Sequence, residues 1–347
     1  MKIDIPYYED LTRISNSNIG WFLQKGPAFL HKMLTDPPPE EKNPVLERGT
    51  MIHMYILQPE EFQKTYVVWD KSRPTSAQQE KFCQALANTV EIEPNKAIVS
   101  AYEAAYSTKG KSYVTMLSEG QKIASTLKDY IDFLKANDGR IMITLWDAKM
   151  LDKIKQNINT HKLAKILLDG ADKTKPISRS IQTMHEFHIN WEHLVEYGSN
   201  AEQDEDPQGV YEVHCKSLLD SLTLDFKNKV YTIMDLKTTA KLWHFEDSIE
   251  MYDYCRQLMY YTMAVEWYLE NELHENPDDW TGKWYIIGID TTGSNEIRVF
   301  EIEERDVYNK LLVVDNALNL IAWHQMNDKW EHSRAYYEGD GSETLNL

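Results

Sequence analysis

The segment most suggestive of chemistry is Ile233-Met234-Asp235-Leu236-Lys237, which is followed by Thr238 and Thr239. Its apolar character predicts a strand, in which alternate side chains project from the same face. Asp235 and Lys237 would then stand side by side at the strand end. A carboxylate and an ammonium in this arrangement are also common as an ordinary ion pair on a solvated strand, so the triplet needs supporting residues.

A second carboxylate, Asp220, precedes Asp235 by fifteen residues. The pattern predicts strands over Val210 to Cys215, Leu218 to Phe226 and Val230 to Leu236, joined by short turns. The last two would form a hairpin that brings the two carboxylates onto neighbouring strands. Two such carboxylates can bind Mg²⁺, which prefers oxygen ligands. Lys237 could then orient or deprotonate a bound water, or stabilise charge on a phosphate. This combination suits hydrolysis of a phosphodiester.

Gln257 and Tyr261 lie four residues apart on a predicted helix over Phe245 to Leu273, so both project from one helix face. Packing among the many tyrosines of that helix is an alternative reading. His53 lies among apolar residues of another predicted helix, Val45 to Leu57, where a buried core histidine is the common alternative to a metal ligand.

Glu186 belongs to His185-Glu186-Phe187-His188 in a predicted strand, Gln182 to Trp191. The two histidines lack the H-E-x-x-H spacing of zinc sites, and on a strand they would point to opposite faces. Glu186 is therefore either a surface acid or a member of the same site as the aspartates.

Taken in order, these motifs resemble the PD-(D/E)xK nuclease superfamily, in its RecB-like branch. The resemblance rests on Asp220, on Asp235-Leu236-Lys237-Thr238-Thr239 and on Gln257-Leu258-Met259-Tyr260-Tyr261. The N-terminal motifs are similar to the nuclease domain of exonuclease VIII (RecE) and related phage recombination exonucleases. They are Ile14-Ser15-Asn16-Ser17, Gly26-Pro27-Ala28, Arg48-Gly49-Thr50-Met51-Ile52-His53 and Leu57-Gln58-Pro59-Glu60-Glu61-Phe62.

The resemblance implies a role for each matching residue. His53, Asp220 and Asp235 match the metal ligands, and Lys237 matches the catalytic lysine. Glu186 matches an acid that contributes to the metal site or its water shell. The remaining matches are expected to bind DNA or support the site, and they are Gln257, Tyr261, Thr238 and Thr239. The implied metal is Mg²⁺, with Mn²⁺ as a substitute.

The implied fold is α/β: a restriction-endonuclease-like core with a mixed central β-sheet flanked by helices and a large helical insertion. We expect one composite domain. Residues 1–70 supply N-terminal helices with the histidine motif, 71–176 a mainly helical insertion, 177–335 the catalytic core and 336–347 a flexible tail.

Composition limits the partners. The 37 basic and 55 acidic residues give a net charge of −18, which should repel nucleic acid at long range. DNA binding would then depend on metal ions or on a local basic track, for which Lys216, Lys227, Lys229, Lys237, Lys241 and Arg256 are the candidates. No apolar run is long enough to span a membrane, and no secretion signal is apparent, so we expect a bacterial or phage-infected host cytoplasm.

The three cysteines, Cys83, Cys215 and Cys255, are too few for an iron–sulfur cluster on four cysteines. The resemblance therefore favours a cluster-free exonuclease that digests linear double-stranded DNA from a 5′ end and leaves 3′ single-stranded tails. It further implies a homo-oligomer and a single-strand annealing protein as partner. The alternatives are a structure-specific or single-strand endonuclease of the same fold, and a non-catalytic acidic binding protein.

Overall fold

The computed structural model describes residues 5–39, 43–136, 139–169, 180–197 and 209–342. Contacts between Cα atoms divide the chain into two compact units. One comprises residues 1–58 and 152–347, and the other comprises residues 59–151. The sequence predicts a longer insertion, 71–176, whose C-terminal limit lies outside the described residues. The sequence also predicts a polar loop over Asp204 to Gly209, and most of that segment lies outside the described residues as well.

The unit of residues 59–151 is mainly helical and has its own core around Phe82, Leu86 and Tyr102. Its two short strands pair in parallel. Its elements are α4 (Pro59–Thr65), β1 (Tyr66–Trp69), α5 (Ala77–Ala87), α6 (Pro94–Ala105), α7 (Tyr113–Thr126), α8 (Lys128–Lys135), β2 (Ile141–Thr144) and the first half of α9 (Leu145–Thr160).

The other unit is built on a sheet. Its helices before the sheet are α1 (Asn16–Lys25), α2 (Pro27–Thr35), α3 (Pro44–Leu57) and α10 (Lys162–Asp169). Its strands are β3 (Ile181–Tyr197), β4 (Gly209–Asp225), β5 (Val230–Thr239), β6 (Thr281–Asp290) and β7 (Ile297–Ile302). The later helices are α11 (Phe245–Met251), α12 (Tyr254–Asn271), α13 (Glu304–Tyr308), α14 (Leu311–Asn327) and α15 (Arg334–Glu338).

The five strands form one sheet in the order β3-β4-β5-β6-β7. Pairing is antiparallel except between β5 and β6, which are parallel and joined through α11 and α12. This arrangement confirms the predicted α/β class with a mixed sheet flanked by helices. The core lies between the sheet and helices α1, α12 and α14, and it includes Trp191, Tyr260 and Leu318.

Strand β4 differs from the prediction, because one unbroken strand replaces the two expected strands Val210 to Cys215 and Leu218 to Phe226. The polar pair Lys216-Ser217 suggested a turn, but both residues are buried with partners. The Trp191 indole donates to Ser217 at 3.1 Å, and the Lys216 ammonium donates to the main-chain carbonyls of Tyr7 and Asp10.

The helix predicted over Phe245 to Leu273 is also different, since it is divided into α11 and α12 at Asp253. Asp253 has left-handed backbone angles, φ 51° and ψ 54°, which interrupt the helical hydrogen-bond ladder. The sequence also predicts one last helix over about Asp306 to Lys329, and the structure divides it into α13 and α14. The predicted flexible tail, 336–347, begins inside α15, and its residues 343–347 are not among the described residues.

Helix starts follow the expected caps. Ser15 and Ser17 are both candidate caps by residue type, and it is Ser15 that accepts a hydrogen bond from the Asn18 amide, in a capping box. Asn43 caps α3 by accepting from the Val45 amide. Pro27 and Pro44 occupy the first positions of α2 and α3, where a missing amide proton costs nothing. Among the described residues, no helix is long and apolar enough to cross a membrane.

We predict that Lys216→Ala lowers the free energy of unfolding by about 2–3 kcal/mol, since two buried carbonyls lose a charged donor. Lys227→Ala, at an exposed lysine of the β4–β5 turn, should change it by no more than about 0.5 kcal/mol. Denaturant unfolding of both variants measures the difference. Equal effects would show that the buried ammonium does not anchor the N-terminal segment.

Candidate active site

The hairpin of β4 and β5 brings the two predicted aspartates together. The ladder pairs Ser221 with Met234, so Asp220 and Asp235 lie next to it on facing strands. The main-chain pairing of β4 with β5 ends here, and the Leu236 amide donates instead to the Asp220 carboxylate, at 2.6 Å from its Oδ2. This hydrogen bond fixes the Asp220 carboxylate at the strand end.

Helix α3 contributes His53 to the same place. His53 Nδ1 lies 3.8 Å from Asp220 Oδ2, too far for a hydrogen bond, and the ring lies beside the main chain of Leu236. Burial lowers the pKa of His53, although Asp220 acts in the opposite direction. The lowered pKa favours the neutral imidazole, which is the form that binds metals. Gly49 permits the close approach of α3 to β5, since a Cβ at this position would lie only 3.2 Å from Thr238 Oγ1.

Glu186 faces Asp220 across the β3–β4 ladder, because the pairs on either side are His185 with Ser221 and Phe187 with Leu219. Its φ of 48° is in the left-handed region, which is uncommon for a residue other than glycine and is found mainly where surrounding structure enforces it. Two carboxylates directly opposite each other repel. Burial, together with Asp220 and Asp235, raises the pKa of Glu186 to about 7.

These three side chains have the arrangement of a metal site. One ligand atom from each of His53, Glu186 and Asp220 lies within 4.8 Å of the other two. A cation with ligands at about 2.1 Å holds opposite ligands about 4.2 Å apart, so small side-chain movements would close the set. Two opposed carboxylates and a neutral imidazole also suit a divalent cation chemically, since its charge would offset their repulsion.

Asp235 lies outside this three-residue cluster, although it was predicted as a ligand. It is 3% exposed, and its Oδ2 is 2.5 Å from Lys237 Nζ. Gln257 Nε2 donates to Asp235 Oδ1 at 3.1 Å and to the Tyr261 hydroxyl at 2.8 Å. Gln257 thus holds the carboxylate that holds Lys237, and buried Tyr261 positions the Gln257 amide by accepting its second hydrogen bond.

Lys237 is charged in this environment. Burial opposes the charge, but Asp235 and Asp220 outweigh it and raise the pKa of the ammonium above its usual value. The Lys237 side chain nevertheless remains partly exposed. It is therefore placed to contact an anion rather than to accept a proton.

Thr238 and Thr239 support the end of β5. Thr238 Oγ1 lies against Gly49 of α3, and the Thr239 carbonyl accepts the Thr291 amide at 3.0 Å. The threonines thus link the strand to a helix and to the β6–β7 loop.

Of the six residues proposed for a basic track, Lys227 and Lys241 are exposed, and the other four are buried or paired. Lys216 and Arg256 are both 6% exposed, and Arg256 donates to the main chain and side chain of Asn16. Lys229 is paired with Glu275 and Lys237 with Asp235. Basic residues that are adjacent in sequence are thus used mainly to hold the fold together.

Tyr254 is a neighbour of the site that the motifs did not indicate. Its ring centroid lies 5.1 Å from Lys237 Nζ, within the range of a cation–π contact. The sequence signal available was an unusual density of tyrosines at the start of α12, which is equally typical of packing.

Comparison with known proteins adds little. No family model matches the chain, and no curated protein matches it. A crystal structure from Eubacterium rectale, described provisionally as that of an exonuclease, aligns over 100% of this chain and 96% of its own. The TM-score is 0.47 and the identity 13%, a likeness too slight to bear on function. Function must therefore be argued from the side chains.

The raised pKa of Glu186 predicts a pH-dependent cost to stability. Between the ordinary value of 4.5 and about 7 the folded state binds more protons than the unfolded state, so stability falls as pH rises through this window. In chelator, Glu186→Gln should gain on the order of 1–2 kcal/mol relative to wild type between pH 4 and pH 8, after allowance for solvent screening.

Denaturant unfolding of wild type and Glu186→Gln at pH 4 and pH 8 measures this change. A packing effect of the substitution is the same at both pH values, so it cancels when the two differences in free energy of unfolding are compared. Glu196→Gln, at an exposed glutamate of the same strand, controls for the substitution itself. A difference between wild type and Glu186→Gln that stays constant with pH would contradict the opposed-carboxylate geometry.

Proposed function

We propose that the chain is a divalent-metal-dependent deoxyribonuclease that digests linear double-stranded DNA from an end. The observation that carries the proposal is the Asp235–Lys237 ion pair directly beside the His53, Glu186 and Asp220 cluster. A metal cluster alone suits many reactions. A charged lysine held next to it adds the group needed to bind the anionic oxygen of a phosphodiester.

The residues divide into two groups in this proposal. Asp220 and His53, with Glu186, hold the cation, and Asp235 supplies further negative charge. When bound there, Mg²⁺ or Mn²⁺ would supply positive charge to the scissile phosphate and acidify water for attack at neutral pH. The histidine favours Mn²⁺ somewhat more than an all-oxygen site would.

Lys237 acts on the phosphate through its position and charge. Asp235 fixes the ammonium at 2.5 Å, and Gln257 fixes Asp235 in turn. Because the ammonium is preorganised, it can stabilise negative charge that develops on the phosphate without first reorienting. Its raised pKa makes this role preferable to that of a general base at neutral pH.

Action from a 5′ end, 3′ single-stranded products, a homo-oligomer and a single-strand annealing partner are parts of the proposal that rest on the resemblance of the sequence motifs. An endonuclease of the same chemistry is the nearest alternative. A non-catalytic acidic binding protein is favoured by one observation, the net charge of −18. That alternative gives no reason for Lys237 to be held by a buried carboxylate beside three ligand-type side chains.

We predict that the protein with Mg²⁺ or Mn²⁺ degrades end-labelled linear duplex but leaves a covalently closed circle intact. Lys237→Ala should reduce the rate by at least about 10²-fold, the scale for loss of one preorganised charge-stabilising donor. Lys283→Ala, at an exposed lysine on β6, is the matched control and should retain wild-type activity.

The position of the released label gives the direction of digestion. Cleavage of the circle at the same rate would reject the exonuclease and leave the endonuclease. Absence of cleavage of any nucleic acid, together with absence of Mn²⁺ binding, would favour the binding protein.

A further inference from the structure

A pair of stacked tyrosines extends outward from the candidate catalytic lysine. The Tyr254 ring lies 5.1 Å from Lys237 Nζ, and the Tyr252 ring stacks on Tyr254 with centroids 5.7 Å apart and planes at 21°. Tyr254 is half-buried, whereas Tyr252 is 59% exposed. The row therefore begins at the site and ends with an aromatic ring in solvent.

The backbone is arranged to make this stack. Residues two apart do not face each other on a continuous helix, so Tyr252 and Tyr254 would diverge if α11 and α12 were one helix. The left-handed Asp253 between them is what turns the two rings together. Its carboxylate is held by Lys310 Nζ at 2.9 Å and by Arg256 Nε at 3.4 Å.

A strained residue secured by two cations is more than a helix end requires, because glycine or asparagine would make the same break at lower cost. Tyr254 packs against the core beside Phe245, whereas Tyr252 and the neighbouring Met251 are exposed, so the outer ring of the stack covers no apolar core. The exposed Tyr252 ring is therefore available to stack on a ring of a bound molecule.

The charge of the protein indicates what kind of contact is useful here. At −18, the chain gains little from general attraction to phosphate, and Lys216 and Arg256 are buried. Stacking of a base on an aromatic ring needs no net positive charge and tolerates any sequence. A base inside a duplex has both faces covered, whereas an unpaired base offers a free face.

We propose that Tyr252 stacks on an unpaired base of the DNA end whose phosphate lies at Lys237. The inference rests on the proposed nuclease function and deepens it, since it makes a frayed or single-stranded end the preferred substrate. The two successive ring contacts place the Tyr252 ring within about three base steps, of roughly 3.4 Å each, of Lys237 Nζ. Tyr252 is thus a binding residue for the nucleotides flanking the scissile bond.

The test uses the full-length protein in Ca²⁺, to suppress cleavage, and two fluorescein-labelled duplexes. Each duplex carries a three-nucleotide unpaired end, of thymidines in one and of abasic sugars in the other. Wild type should bind the thymidine end about tenfold more tightly, within the range expected for stacking of one base. Tyr252→Ala should lose this preference, and Tyr252→Phe, which keeps the ring, should retain it.

Tyr197→Ala is the matched control, since Tyr197 is an exposed tyrosine eleven residues along β3 from Glu186. It should keep the full preference. Equal binding of the two duplexes by wild type, or an unchanged preference in Tyr252→Ala, would overturn the inference.

Cleavage measured in parallel with Mg²⁺ separates this inference from the proposed function. Cleavage without a base preference rejects the stacking alone. A base preference that Tyr252→Ala removes, without cleavage by wild type, rejects the nuclease and supports the stacking. Absence of binding to either duplex, together with absence of cleavage, rejects both.

Discussion

The repulsion between the Glu186 and Asp220 carboxylates is the interaction on which the rest of the site depends. The antiparallel pairing of β3 and β4 places them directly opposite each other, with Asp235 near enough to add to the effect. Such an arrangement weakens the fold unless a proton or a cation offsets the charge. The left-handed backbone at Glu186 adds strain at the same point. We interpret the carboxylate repulsion and the backbone strain as consequences of placing cation ligands close together.

The surrounding contacts keep the site from relaxing. Asp220 is tied to the β5 main chain, and Gln257 and Lys237 together engage both oxygens of Asp235. Because Asp220 and Asp235 are held by different partners, neither carboxylate can turn away from the other without breaking one of these contacts. Net charge elsewhere on the chain does not alter this local arrangement. An acidic protein can therefore present a preorganised site for an anionic substrate once a cation is bound.

Sequence reasoning predicted the parts of the fold that follow from local periodicity. Alternation along β5 placed Asp235 and Lys237 on one face, and the short β4–β5 turn placed Asp220 on the next strand. It did not predict that Lys216 is buried or that α11 and α12 are separate, because both depend on partners remote in sequence. The resemblance of the motifs, not residue spacing, assigned Glu186, His53 and Asp220 to one site, and the Tyr252–Tyr254 stack depends on a left-handed backbone at Asp253 that the residue types do not indicate.

The most direct test of the central claim is a calorimetric titration of the wild-type protein with Mn²⁺ at pH 7. The cluster predicts a saturable site, with proton release on binding because the pKa of Glu186 is about 7 in the free protein. Asp220→Asn should abolish that site, whereas Asp315→Asn, at a carboxylate that lies beside His193 instead, should retain it. Absence of saturable binding by wild type, or equal binding by Asp220→Asn, would contradict the claim that these opposed carboxylates form a metal centre.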